Sequence, residues 1–436
     1  MKYSIVTFGC RVNQADSMAI ERTLRDRGGQ PAAPGEADLV VVNSCSVTAT
    51  ADQGTRQTIR RVARENPSAR IVVTGCYATR APEELRSLPG VARVVPNDFK
   101  EALAADTMET AARYAGADGP CGAPDAVAPS LLDRTALILR VQTGCEERCA
   151  YCIIPSTRGR SRSRPVADIV GELQLAVAAG YREVTLTGVH LGSYGRDLQP
   201  AVGLGTLLEA AVARTAIVRI RLGSLEPMDV PDGLIDLVQT GRVAPALHLP
   251  LQHACDGVLA RMRRPYTLGD YARLVNDVRS RVPHAALGAD VIVGFPGEDE
   301  GAFERLCAYL AGSPLTHLHV FPYSDRPGTE ASSLSSKVPG PQIRARGARV
   351  REIGRALAER FAAGQAGSVR PALTIADGSV AVTDNGLKLQ IPAGQSRNVP
   401  VLVRVGVGGR GELVGPLSPP SSARAAGRPT DAGLRR

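Results

Sequence analysis

Tryptophan is absent from this 436-residue chain, and aromatic residues make up only 4% of it. The core must therefore be built mainly from Leu, Val, Ile and Ala, within the 44% of residues that are hydrophobic. Lysine is almost as scarce: Lys2, Lys100, Lys337 and Lys388 are four of the 52 basic residues, and arginine supplies the rest. No run approaches the roughly 20 apolar residues that span a bilayer, so no membrane association is expected. The opening MKYSIVTFGC has no apolar stretch ahead of a small-residue cleavage site, so no signal peptide is expected and the chain belongs in the cytoplasm. Nine cysteines, an odd number without an export signal, fit a disulfide framework poorly and fit metal ligands or catalytic thiols better.

Positive charge is in excess. A formal net charge of +9 favours an anionic partner such as nucleic acid, although part of the arginine richness is compositional. The hydrophobic pattern predicts an α/β protein in several parts. Residues 1–115 alternate strands (KYSIVTFGC, DLVVVNSC, ARIVVTGC) with helical patterns, as in a parallel sheet covered on both faces. Residues 116–130, rich in Ala, Gly and Pro, read as a linker. Between 131 and 365 the strand–helix unit repeats six times and ends in an arginine-rich helix, which predicts a partial (β/α)6 barrel. Residues 366–415 alternate apolar and polar residues around Gly and Asp-Asn-Gly turns, as in a small antiparallel β-barrel. Residues 416–436 lack core formers and are expected to be a disordered tail.

The densest chemistry lies in GCEERCAYCIIPSTRGRSRSRP, where Cys145, Cys149 and Cys152 follow the first barrel strand and Arg158, Arg160, Arg162 and Arg164 come after them. A structural zinc would take a fourth ligand nearby, but the next cysteine is Cys255. Three thiolates on a four-iron cluster instead leave one iron open to a small molecule. A second set is dispersed. Cys10, Cys45 and Cys76 each end a predicted parallel strand, and such strand ends share one edge where ligands bind. The competing readings are a structural zinc loop for the first set and small buried hydrophobes for the second.

CEERCAYC resembles the radical S-adenosylmethionine (SAM) signature. TLTGVHLGSYG, RLGSLEP, VIVGFPGE and VFPYSDRPGTEA follow in the order of that superfamily's later barrel segments. The resemblance implies a cluster on Cys145, Cys149 and Cys152 whose open iron holds SAM, and SAM contacts by Tyr151, Gly188, Ser224, Glu226 and Gly294; Asp290, from its place at the end of the fifth barrel strand alone, is expected to orient SAM or substrate. It implies one-electron cleavage of SAM to methionine and a 5′-deoxyadenosyl radical. TFGCRVNQADS, VVNSCSVTATAD and VTGCYATRAPEEL resemble the amino-terminal part of the methylthiotransferase family, and the likeness extends over about residues 1–415.

That family resemblance implies a second 4Fe-4S cluster on Cys10, Cys45 and Cys76 that delivers sulfur, a second SAM as methyl donor, and a TRAM-like RNA-binding module at the C-terminus. Within the family, CAYCIIPSTRGRSRSRP and GVHLGSYGRD look most like enzymes acting on threonylcarbamoyladenosine beside the tRNA anticodon. Enzymes acting on isopentenyladenosine, or on an aspartate of a ribosomal protein, are the alternatives. A non-catalytic zinc or RNA-binding protein is more distant. The implied partners are the tRNA anticodon stem-loop, contacted by Arg158, Arg160, Arg162 and Arg164, a flavodoxin- or ferredoxin-type electron donor and the iron–sulfur assembly machinery, with the chain itself a monomer. Ser44, Thr79, Gly223 and the His253-Ala254 pair depart from the usual family residues. His253 reads as a packing residue rather than an acid–base group.

Overall fold

The computed structural model describes residues 1–100, Leu103 and residues 135–417. The linker expected at 116–130, with Cys121, lies outside them, as does the tail beyond 417.

The chain opens with five parallel strands, β1 (Lys2–Thr7), β2 (Gln30–Pro31), β3 (Leu39–Ser44), β4 (Arg70–Gly75) and β5 (Val91–Val95), in the order β2-β1-β3-β4-β5. The central β3 is buried along its whole length, and its side chains divide by alternation. Leu39 and Val41 join Ile20 and Leu24 of helix α1 (Arg11–Asp26) on one face. Val40 and Val42 join Ile59 and Val62 of helix α2 (Ala49–Glu65) on the other. The edge strand β2 carried no apolar pattern and was not legible beforehand. The strand order reverses direction between β1 and β3, which opens a crevice at their C-terminal ends.

Two short helices, α3 (Cys76–Arg80) and α4 (Pro82–Arg86), follow β4. Entry into α3 needs a glycine. Gly75 has φ +100°, and a Cβ there would lie 2.2 Å from the carbonyl oxygen of Ser44. Gly75→Ala is expected to lower stability by about 2–4 kcal/mol, seen as a fall in the urea midpoint at unchanged slope. An unshifted midpoint would show that this turn relaxes freely.

Six parallel strands build the central wall: β6 (Ala136–Arg140), β9 (Glu183–Thr187), β10 (Arg219–Leu222), β11 (Ala246–His248), β12 (Ala286–Val293) and β13 (His317–Pro322). They form two three-stranded sheets, joined by bridges Ile220–Val243 and Ser224–His248 into one curved wall in chain order. The expected partial (β/α)6 barrel is thus present. The residue pair β7 (Gln142–Thr143) and β8 (Arg162–Ser163) forms a small antiparallel clasp around the cysteine loop and helix α5 (Ile154–Arg158).

Helices α6 (Val166–Ala178), α7 (Leu204–Arg214), α8 (Leu234–Gln239), α9 (Asp256–Arg261), α10 (Leu268–Arg281) and α11 (Glu300–Gly312) connect the strands, and a large apolar core lies between them and the wall. Helix α12 (Gly340–Gln365) then crosses β13 and α11. Among the described residues no helix is long and apolar enough to cross a membrane.

The C-terminal strands β14 (Val369–Ile375), β15 (Val380–Thr383), β16 (Lys388–Gln390), β17 (Pro400–Val405) and β18 (Gly411–Pro416) form an antiparallel sheet in the order β16-β15-β14-β17-β18. A bridge from Gln390 to Arg410 brings its two edges together, so the sheet curls into a small barrel. It docks beneath the central wall. Arg219 and Arg221, near the start of β10, donate to the carbonyls of Pro371, Val382, Thr383 and Asp384, and both pair with Glu183.

Candidate active site

Three thiols gather at the crevice of the N-terminal sheet. Cys10 lies past β1 as the N-cap of α1 and is exposed; Cys45 directly follows β3 and is buried. Cys76 is also buried, and it begins helix α3 rather than ending a strand as expected, because Gly75 turns the chain first. Gly9, at φ +95°, lets Cys10 and Cys45 approach: a Cβ there would lie 2.7 Å from the sulfur of Cys45. Burial, with the charges of Cys10 and Cys76 nearby, pushes the Cys45 thiol up to about 12.

Cys76 experiences a different field. Burial raises its pKa, but Arg158 and Lys100 outweigh that and bring it below the ordinary thiol value. Both cations are deeply buried, and with Arg140 they share the carboxylate of Asp16, at 2.9 Å for Lys100, 2.8 Å for Arg140 and 3.3 Å for Arg158. Three cations on one carboxylate leave a surplus of positive charge beneath the thiols. Thiolates holding an anionic iron–sulfur group would neutralise that surplus, and all three cysteines are free of disulfides. The pocket's electrostatics therefore fit such a group.

Cys145, Cys149 and Cys152 sit on the loop that leaves β7. The loop is pinched at its base, where the Cys145 amide donates to the Gly159 carbonyl at 3.0 Å. Gly144, at φ +76°, leaves room for the Arg160 carbonyl, which a Cβ would meet at 1.8 Å. Gln142 ties the base further by donating to the Gly144 carbonyl at 2.8 Å and to Ser161 Oγ at 2.9 Å. The three thiols are partly buried and free. A cation absent from the sequence reading stands beside them: Arg264 donates to Cys149 Sγ at 3.2 Å and pairs with Glu226. His190 Nδ1 lies 3.8 Å from Cys145 Sγ, and its Nε2 is 2.6 Å from Asp229. Local spacing could not reveal the contacts of Arg264, His190 and Asp229, since these residues sit on segments that follow other strands. Three free, partly buried thiols on one loop, with Arg264 and His190 beside them, fit a three-thiolate cluster, although here each cation has its own carboxylate.

The two cysteine sets are tied by side chains between the N-terminal sheet and α5. Asn97 donates to the Thr157 carbonyl at 2.8 Å and lies 3.8 Å from Cys76 Sγ. Its own amide is held by Thr79 Oγ1 at 2.9 Å, so Thr79 supports this contact. Arg158 donates to Asn13 Oδ1 at 2.5 Å. The expectation that Arg158 faces a phosphate backbone is corrected: it is 3% exposed and its charge is committed to Asp16 and Cys76. Arg160 and Arg162 are exposed, paired with Glu146 and Asp98, and Arg164 pairs with Glu172. Arg140, Arg158, Arg162 and Arg164 line a cleft of about 340 Å³ with Asn97 and Asp98 at the seam.

The other expected positions differ in what surrounds them. Tyr151 packs edge-on against Phe295, at 6.5 Å between ring centroids. Ser224 bridges to His248 beside β11. The space a side chain would fill at Gly188 is closed by Gln142, and at Gly294 by Ile343 of α12. Both glycines thus serve close packing of the protein on itself. His253 is fully buried and accepts from the Cys255 amide at 3.0 Å, a packing role. Cys307 is in the core, whereas Cys255 is only partly buried and receives Arg305 at 3.2 Å.

Comparison with known proteins places these features in a family context. Residues 2–96 match the Uncharacterized protein family UPF0004, and residues 139–310 match the Radical SAM superfamily. The chain is 36% identical over 340 residues to the threonylcarbamoyladenosine tRNA methylthiotransferase MtaB of Bacillus subtilis, across 76% of this chain and 75% of that one. The Aquifex aeolicus protein of the same name is 36% identical over 349 residues, covering 78% and 84%. The tRNA-2-methylthio-N(6)-dimethylallyladenosine synthase of Acidothermus cellulolyticus is 36% identical over 359 residues, covering 80% and 72%. Among solved structures, the radical S-adenosylmethionine methyltransferase TsrM of Kitasatospora setae shares the fold, with a TM-score of 0.52 over 76% of this chain and 77% of that one at 17% identity.

Proposed function

Because this chain belongs to the tRNA methylthiotransferase family of radical SAM enzymes, we propose that it methylthiolates C2 of threonylcarbamoyladenosine beside the anticodon of tRNA. It uses SAM and 4Fe-4S clusters, and it needs a reductant. In this reading Cys145, Cys149 and Cys152 hold one cluster and Cys10, Cys45 and Cys76 the other. When bound, these groups supply the electron that cleaves SAM and the sulfur that is transferred, with a second SAM supplying the methyl group.

The chain's own residues do the holding and orienting. Arg264 and Glu226 fix the Cys149 side of the first site, and Arg158, Lys100 and Asn97 set the field at Cys76. The single observation that carries the reading is the pairing of two free-thiol sets across one seam, at the C-terminal ends of two parallel sheets. Exposed Arg160 and Arg162 and the arginine-lined cleft suit an RNA backbone at the rim of that seam. A flavodoxin- or ferredoxin-type donor, loading by the iron–sulfur assembly machinery, a monomeric state and a cytoplasmic setting complete the proposal.

Mass spectrometry of tRNA nucleosides from a deletion strain tests it. The methylthio derivative of threonylcarbamoyladenosine should vanish, while its unmethylthiolated precursor accumulates, and the intact gene should restore the product. Loss of the methylthio-dimethylallyl nucleoside instead would assign the chain to the other activity named among its relatives.

A further inference from the structure

Six side chains on the concave face of β11, β12 and β13 have no part in holding thiols. Alternation along β12 sends Leu287, Ala289, Val291 and Val293 into the core beneath the helices. Gly288, Asp290 and Ile292 face the other way, and Ile292 packs with Ala150 and Phe295 under the cysteine loop. On β13, Leu318 and Val320 turn to the core, leaving His317, His319 and Phe321 on the concave side. His248 of β11 alternates with the buried Leu247 and Leu249.

Register then brings the polar groups together. His248, Gly288 and His317 lie in one row, and Asp290 and His319 in the next. Gly288 is what lets the rings meet: a Cβ there would lie 2.1 Å from His317 Nε2 and 2.6 Å from His248 Nδ1. Asp290 Oδ1 is 2.7 Å from His248 Nε2 and 3.2 Å from His319 Nδ1, and the rings of His248 and His319 stack at 4.8 Å.

The cluster is braced from behind and open in front. Thr316 Oγ1 donates to the Leu287 carbonyl, so it accepts from His317 Nδ1 at 3.0 Å and leaves Nε2 of that ring as an acceptor. Burial, with the neighbouring histidines, brings His317 down to about 4, so the ring is neutral near pH 7. Burial pushes the Asp290 carboxyl up, but the hydrogen bonds of His248 and His319 overcome this and hold it at about 2. His319 is exposed, and its side chain has 59% of its surface accessible. Phe321, one row above and opposite Ile292, is 39% exposed, and among the described phenylalanines only Phe99 is more so. An exposed aromatic ring beside a patch of ring nitrogens and a carboxylate is a stacking platform with a polar floor.

We propose that this wall binds the target base, with Phe321 stacking against the adenine, His248 and His319 donating to the carboxylate of its N6 substituent, and Asp290 and His317 Nε2 accepting from its hydroxyl. The proposal rests on the threonylcarbamoyladenosine reading above and adds what selects that base over others. Rows of a strand two residues apart are separated by roughly 7 Å, a span suited to a substituent reaching down from a stacked ring. The dimethylallyl group is apolar and would leave these donors and acceptors unsatisfied, which is how a polar site rejects a ligand lacking the matching groups.

The test uses the full reconstituted chain and anticodon stem-loops carrying threonylcarbamoyl-, dimethylallyl- or unsubstituted adenosine at the same position. Wild type should bind and turn over the threonylcarbamoyl RNA best. His319→Leu should raise its KM and Kd about ten- to a hundredfold, with kcat, iron content and affinity for the unsubstituted RNA little changed. His319→Gln, which keeps a hydrogen-bonding group, should recover part of the loss. If His319→Leu and Asp290→Asn leave the preference between the RNAs intact, the inference is overturned while the proposed function stands. If wild type does not methylthiolate the threonylcarbamoyl RNA at all, the proposed function itself fails. Two imidazoles and a carboxylate within 4.8 Å are also a donor set for a divalent cation. One zinc per wild-type chain, lost in His319→Leu, would overturn base recognition in favour of a metal site.

Discussion

Cys76→Ala, reconstituted anaerobically with iron and sulfide, is expected to hold about four irons in place of about eight. It should still produce 5′-deoxyadenosine from SAM and yet form no methylthiolated RNA. The separation follows from position. Cys76 stands at the head of α3 on the N-terminal sheet, while Cys145, Cys149 and Cys152 belong to a loop closed on itself by the Cys145–Gly159 hydrogen bond. Removing the first thiol leaves that loop's own bonds unchanged. Iron is measured by a colorimetric assay, and the two products by chromatography. If iron stays near eight per chain, Cys76 is not a ligand, and the proposed arrangement of the N-terminal site is wrong.

Asp16→Asn is expected to cost about 3–5 kcal/mol, because it strands buried cations without their counter-charge. Lys100 and Arg158 are both nearly inaccessible, and the neutral acceptors left to them, Asn43 Oδ1 at 3.0 Å from Lys100 and Asn13 Oδ1 at 2.5 Å from Arg158, carry no counter-charge. Burial alone would raise the Asp16 carboxyl, but Lys100, Arg158 and Arg140 bring it far below the usual carboxylate range. The sign of the pH dependence follows. A depressed carboxyl contributes stability that is fully present above its unfolded value, near 3.9, and that fades as pH falls through its folded value. The difference between wild type and Asp16→Asn, measured by urea unfolding of the cluster-free chain, should therefore be constant near neutrality and shrink below about pH 4. A difference that does not change with acid would show that the carboxylate's charge is not what stabilises this site.

The parts of this molecule that are periodic were readable from the sequence. Apolar runs such as DLVVVNSC and GADVIVGFP announced β3 and β12 because parallel strands covered on both faces need continuous apolar residues. The helix α3 was not readable, since five residues are too few to show a helical period. Cys10, Cys45 and Cys76 could be associated because strand ends share an edge whatever the loop lengths. Asp16, Lys100 and Arg264 could not, because their meaning lies in partners 84 residues apart for the first two and 115 for Arg264 and Cys149. The arginine run misled at one position. Alternation holds only along an extended strand, and Arg158 ends the helix α5, so it turns inward while Arg160 and Arg162 turn outward. Asp290 was singled out from its strand, but its three histidine neighbours come from two other strands, and only register unites them.

Asp52 of α2 accepts from Arg80 of α3 at 3.0 Å and from Arg326, beyond β13, at 2.7 Å, and Arg326 also reaches the Val47 carbonyl in the loop after Cys45. That carboxylate is a clasp. Opening a hinge between the two bodies would strip one guanidinium from it in a place water scarcely reaches, so the gap separating the sulfur-bearing ledges behaves as a fixed gauge rather than a jaw. In the proposed reaction the target nucleotide, rather than either body, is then the part expected to shift between the two cysteine sites.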